Sequence, residues 1–112
     1  MSDCLFCKMI RKEIKAKIEY EDDNLFAIHD INPQAPIHLL MMPKRHIESI
    51  STMQASDGEL LGKLIYQAKQ IAAAKGWQHY RLVFNNGSES GQSIFHIHLH
   101  LLSGRSMHWP PG

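Results

Sequence analysis

The chain has 112 residues, 44% of them hydrophobic and 21% charged, a globular balance with room for one modest core and no second module. Twelve basic against eleven acidic residues leave a net charge of +1, which gives neither the footprint of a nucleic-acid groove nor that of an anionic membrane anchor. The longest apolar run, 37–42, is broken by His38 and too short to span a bilayer, and Asp3, Lys8, Arg11 and Lys12 interrupt any leader-like stretch, so the sequence reads as cytoplasmic.

Cys4 and Cys7 are the only cysteines and form a C-x-x-C, which in a reducing compartment reads as metal-binding or redox rather than as a structural disulfide. Around them Leu5, Met9 and Ile10 fall at helical spacing and predict a short amphipathic helix over 4–13. Short strands are expected over 18–20 and 25–30, flanking the polar turn 21–24. Two prolines make Asn32-Pro33-Gln34-Ala35-Pro36 a loop, after which 37–42 resumes as a buried strand and stops at Pro43. Ser56 and Glu59 have capping-box spacing, and Leu60, Leu61, Leu64, Ile65, Ala68, Ile71 and Ala72 then form one apolar stripe of a long helix that Gly76 ends. Gly62, inside that helix, marks a candidate close-packing position. Two further strands are predicted over 80–85 and 93–102, joined by 86–92. The tail 103–112 is irregular, yet Trp109 on its proline-stiffened end is an apolar anchor that packs near the site or on a second subunit. The expected fold is a single α+β domain over 1–112. It has an antiparallel sheet of about five strands, one long helix covering one face and a short N-terminal helix.

Residues 96–100 read His-Ile-His-Leu-His. Alternation along a strand puts His96, His98 and His100 on one face and Ile97, Leu99 and Leu101 on the other. Near neutral pH these imidazoles have three roles open to them: nucleophile, general acid or base, and metal ligand, the last as in three-histidine zinc enzymes. A solvated sheet face is the plain reading. Just before them, Ser88 to Ser93 is small and polar, so its amides and hydroxyls can approach a phosphate, although ordinary turn chemistry explains the same composition. Beside such a loop a nucleophilic histidine would split a displacement at phosphorus into two steps through a phosphohistidine. Elsewhere the plain readings stand: His79 and His108 as surface residues, Lys44-Arg45 as a solvated basic pair, and Met41, Met42 and Met53 as gap-filling core.

His96-Ile97-His98-Leu99-His100-Leu101-Leu102 resembles the signature of the histidine triad superfamily, His-φ-His-φ-His-φ-φ. The likeness extends through Arg11-Lys12-Glu13-Ile14, Glu21-Asp22-Asp23, His29-Asp30-Ile31, Pro33-Gln34-Ala35-Pro36, His38, Pro43-Lys44-Arg45-His46-Ile47, Gly91-Gln92-Ser93 and Met107-His108-Trp109-Pro110-Pro111-Gly112, nearly end to end. These segments look like the Hint branch.

That resemblance implies a homodimeric hydrolase, its sheet extended across the dimer, that releases AMP or GMP from purine nucleoside phosphoramidates. The reaction needs no metal. It assigns His98 as the nucleophile, His100 as the residue on the phosphate and leaving group, His38 and His96 as its orienting partners, and Ser93 as the proton donor to the amine. Asp30 corresponds to the ribose ligand. Ile28, His29 and Ile31 correspond to the base and sugar pocket, Asn85, Gly91 and Gln92 to ribose and phosphate contacts, and Trp109 to the tail that shapes the site. The C-x-x-C departs from the best-known eukaryotic members. In other histidine triad proteins the corresponding cysteines join residues matching His46 and His96 in a structural zinc site, which here implies Cys4, Cys7, His46 and His96. If the ring of His96 binds zinc it is not free to orient His98, so one of its two roles gives way. The alternatives are a dinucleoside polyphosphate hydrolase and a nucleotide-sensing interaction protein with weak catalysis.

Overall fold

A computed structural model of the chain describes residues 3–112. In chain order the elements are α1 (Leu5–Ile10), β1 (Ile18–Glu21), β2 (Leu25–His29), β3 (Ile37–Pro43), α2 (Gly58–Lys75), β4 (Tyr80–Phe84) and β5 (Leu99–Ser103). The five strands form one antiparallel sheet in the order β1-β2-β3-β5-β4, as expected for the α+β class.

Each short element has a local cause. Cys4, in extended conformation, caps α1 by accepting the Cys7 N–H on its Sγ at 3.3 Å. The helix ends at Ile10, sooner than the apolar spacing suggested, because Lys12 takes a left-handed φ of 66° and turns the chain away. Asp22 builds the β1–β2 turn: its carboxylate accepts from the amides of Asn24 and Leu25, each at 2.7 Å, and from the Tyr20 hydroxyl at 2.7 Å.

The long helix starts differently from the sequence expectation. Ser56 and Glu59 do not form a capping box. The reciprocal box pairs Gln54 with Asp57 across a 3-10 turn at 55–57, and the buried Asp57 carboxylate also pairs with Arg45. Asp57 is therefore the acidic group committed to the backbone, and α2 itself has no side-chain cap. At the far end Gly76 sits at φ 77° and returns its N–H to Ala72 and Ala73, as predicted. Of the predicted stripe, Leu61, Leu64, Ala68, Ile71 and Ala72 are buried while Ile65 stays exposed. Gly62 has open space around it within this chain.

Alternation along the strands divides the sheet into two faces. Leu25, Ala27, Leu39, Met41, Leu99 and Leu101 pack with Leu61, Leu64, Ala68 and Ile71 of α2. Phe26, Ile28, Leu40 and Met42 pack on the opposite face, against Phe6 of α1. The six-residue α1 covers only the β2–β3 half of that face. The functional side chains lie on this second face.

The last strand is shorter than predicted. Its ladder begins at Leu99, opposite Met41 and Phe84, not at Ser93. Residues 93–98 lie outside the ladder and anchor by other means, among them the Ile97 amide on the Ile47 carbonyl at 2.7 Å.

Candidate functional site

His38 near the start of β3 and His100 near the start of β5 stand on the face that α2 does not cover, and His98 lies just ahead of β5. His98 Nδ1 donates to the His96 carbonyl at 2.8 Å, which leaves the lone pair on Nε2. His38 accepts the Gln34 amide on Nδ1 at 3.0 Å, so its proton sits on Nε2 and points at His100 Nδ1, 2.9 Å away. The His100 proton is then on Nε2. Among the described residues this nitrogen is the buried side-chain polar atom without a partner. An unpaired buried donor is costly and marks a place for an acceptor from outside the chain.

Burial favours the neutral form of these rings. It lowers the pKa of His98 against the help of the His96 carbonyl, and it lowers that of His38 against Asp30. For His100, burial followed by the neighbouring His98 and His38 pushes the value down to about 4. Asp30 Oδ2 lies 3.5 Å from His38 Nε2, while its Oδ1 accepts from the Asn32 amide at 2.8 Å.

The rings open into a cavity of about 450 Å³, the size of a small-molecule site. Ile28, His29, Asp30, Ile31, Gly91, Ser93, His98 and His100, all expected from the sequence, border it. Ile31 stands at its rim, 98% exposed. The His29 ring is engaged elsewhere, by Glu19 at 2.9 Å, with Lys75 beyond it. Asn85 is not in the wall but backs Gly91, where a side chain would stand about 3.5 Å from its amide nitrogen. Gln92 is a structural peg: it is buried, accepts the Gly87 amide and donates to the carbonyls of Glu48 and Ile94. Trp109 is 82% exposed and touches no part of the cavity in this chain. Seven lining residues were not expected from the sequence as site residues, namely Leu5, Phe6 and Met9 of α1, Asn32 and Gln34 of the proline loop, Leu40 and Ile94; for α1 the apolar face of the predicted helix was the available signal. A larger open groove of about 960 Å³ runs past Trp77, Tyr80, Arg81 and Met107, but it contains none of these histidines.

The ring of His96 points away from the other two. Its Nδ1 lies 3.4 Å from Cys4 Sγ, 3.5 Å from Cys7 Sγ and 3.2 Å from His46 Nδ1, and His46 Nδ1 lies 3.7 and 3.5 Å from the two sulfurs. A tetrahedral zinc ion with Zn–S of about 2.3 Å and Zn–N of about 2.0–2.1 Å separates sulfur from nitrogen by about 3.6 Å and nitrogen from nitrogen by about 3.3 Å. The four donors fit that geometry. His96 Nε2 donates to the Pro43 carbonyl at 2.7 Å, which frees Nδ1 for the ion. Toward His98, His96 offers only its main-chain carbonyl. The ring of His96 thus faces the cysteines and its carbonyl faces His98.

The family model described as "Scavenger mRNA decapping enzyme C-term binding" matches residues 3–109. An uncharacterized HIT-like protein of Synechocystis sp. is 50% identical over 111 residues, 98% of this chain and 97% of that protein. A 14 kDa zinc-binding protein of Zea mays is 45% identical over 114 residues, 99% of this chain and 89% of that protein. Among solved structures, a HIT family hydrolase from Legionella pneumophila is 52% identical with a TM-score of 0.95, covering 98% of this chain and all of that one.

Proposed function

Because this chain belongs to the histidine triad (HIT) family, we propose that it hydrolyses purine nucleoside phosphoramidates to AMP or GMP and a free amine. One observation carries the reading: an unprotonated His98 Nε2 and a buried, unpaired His100 Nε2–H border the same cavity as Asp30. The first is a nucleophile and the second a donor for a phosphoryl oxygen, and the carboxylate is an acceptor for ribose hydroxyls. Leu5, Met9, Ile28, Ile31 and Ile94 supply an apolar slot for a base.

His98 Nε2 attacks phosphorus and the P–N bond to the amine breaks, with Ser93 relaying the proton the departing nitrogen needs. Water then attacks the nucleotidyl-histidine, the new P–N bond breaks, the proton water gives up replaces the one passed on by Ser93, and His98 returns to its neutral form. His100 Nε2–H stabilises the charge that develops on the phosphoryl oxygens in both steps. Cys4, Cys7, His46 and His96 would hold a structural zinc ion, whose chemistry is to bind two thiolates and two imidazoles tightly enough to tie α1 to the segment ahead of β5. The reaction itself uses only side chains and water. We place the protein in the cytoplasm as a homodimer. β4 supports the dimer, since it is an edge strand with every residue half-buried and one side free to pair.

The description of the matching family model, a decapping enzyme, favours as second reading the cleavage of a phosphoanhydride between nucleotides. The test is AMP release from adenosine 5′-monophosphoramidate and from a diadenosine polyphosphate, with His98→Ala as control. Faster release from the phosphoramidate, lost in the variant, supports the proposal. Preference for the polyphosphate moves it to the anhydride, and AMP binding without turnover of either makes the protein a nucleotide sensor.

A further inference from the structure

Gln34 reaches His38 through its main chain. Its N–H on His38 Nδ1 leaves the His38 proton on Nε2, and that proton on His100 Nδ1 leaves the His100 proton on Nε2. One peptide group thus determines the protonated nitrogen of two successive rings. Asp30 Oδ2, at 3.5 Å from His38 Nε2, favours the same arrangement but lies beyond the usual range of an N–H···O hydrogen bond.

The next peptide group, which carries the Gln34 carbonyl, is held from outside the site by the turn after β5. Gly104 has a φ of +95°, and a Cβ there would lie 2.9 Å from Pro36 Cβ, so the bare main chain of the turn packs directly on the proline ring. Arg105 Nε donates to the Gln34 carbonyl at 3.1 Å, and its Nη1 donates to the Ser106 carbonyl at 2.9 Å. The turn therefore grips the loop at both Gln34 and Pro36.

We propose that Arg105, seated by Gly104 against Pro36, is a positioning residue that holds the Gln34 amide on His38 and so fixes the proton pattern through which His100 presents Nε2–H to the substrate. The catalytic value of that pattern rests on the function proposed above; the pattern itself is a property of the free protein. Without the clamp the loop swings, the amide leaves Nδ1, and the neutral His38 ring is free to carry its proton there instead. His100 Nδ1 then loses its donor and its own proton is no longer confined to Nε2.

The experiment is side-chain ¹⁵N NMR of the histidines in the intact, substrate-free protein, alongside phosphoramidate turnover. The wild type is expected to show His38 in a single form, protonated on Nε2. Arg105→Ala is expected to give a mixture of both forms and a fall in kcat of about tenfold with KM within about twofold, the signature of misplaced rather than missing groups. Arg105→Lys, which keeps a donor, is expected to recover most of both. Gln34→Pro removes the N–H outright and is expected to show the mixture more fully. An Arg105→Ala spectrum identical to wild type overturns the clamp, and a folded Gln34→Pro that keeps His38 wholly in the Nε2–H form overturns the role of the amide. The spectra contain no substrate, so they read the proton pattern whether or not the proposed reaction is the right one.

Discussion

A neutral imidazole has one donor and one acceptor nitrogen, and at His98, His38 and His100 a neighbouring carbonyl, amide or ring fixes which is which. His98→Ala is expected to lower phosphoramidate turnover by at least about a thousandfold, read as AMP release under single-turnover conditions. Because burial holds His98 below the ordinary imidazole range, the acid limb of kcat/KM is expected below pH 6.5, with a flat profile from there through neutrality. A limb centred at 6.5 or above would mean a solvated nucleophile. Alternation predicted one face for His96, His98 and His100, and the cavity holds His98 and His100 of the three. Alternation alone did not tell that the His96 ring turns to Cys4 and Cys7, which only the family resemblance implied: alternation describes strands, and of the three only His100 lies within one.

At the scale of elements, α1 is six residues long and owes its place to two attachments, Phe6 in the second apolar cluster and Cys4 with Cys7 beside His46 and His96. The purified protein is expected to carry about one zinc ion per chain, measured by elemental analysis. Cys7→Ser is expected to lose the ion, lower Tm and weaken AMP binding together, because Leu5, Phe6 and Met9 wall the cavity. Loss of zinc with AMP binding unchanged would separate the clamp from the pocket. In α2, Leu64 is fully buried against the sheet, and Leu64→Ala is expected to cost about 2–5 kcal/mol in denaturant unfolding. The stripe of α2 was legible because helical spacing survives in any context. Its start was not. Ser56 and Glu59 match the capping pattern as well as Gln54 and Asp57 do, and only the ion pair with Arg45, reaching in from the segment after β3, selects Asp57.

For the whole molecule, the order β1-β2-β3-β5-β4 puts the strand bearing His100 between the one bearing His38 and a free edge strand. That adjacency is long-range pairing, and the local pattern of either strand says nothing of it. The histidines gathered there also set the acid stability. Unfolded histidine binds its proton near pH 6.5, whereas His100 in the fold does so at about 4. Between those values the unfolded chain binds more protons. Stability is therefore full above pH 6.5 and falls as the pH drops toward 4, by at most about 3 kcal/mol for this group. Thermal melts at pH 7 and 4.5 are expected to differ by roughly 10 °C, and equal melts would mean that His100 titrates normally. His96 carries a last consequence. Mutation exchanges side chains and leaves carbonyls in place, so its service to His98 cannot be deleted by any substitution that keeps the local path of the chain. Substitution of Cys4 or Cys7 can undo the Cys/His cluster, with the loss of binding expected above, whereas the acceptor that sets the His98 proton stays. A lineage of such proteins that discards its cysteines has to seat α1 by other contacts, but inherits the proton pattern of His98 unchanged.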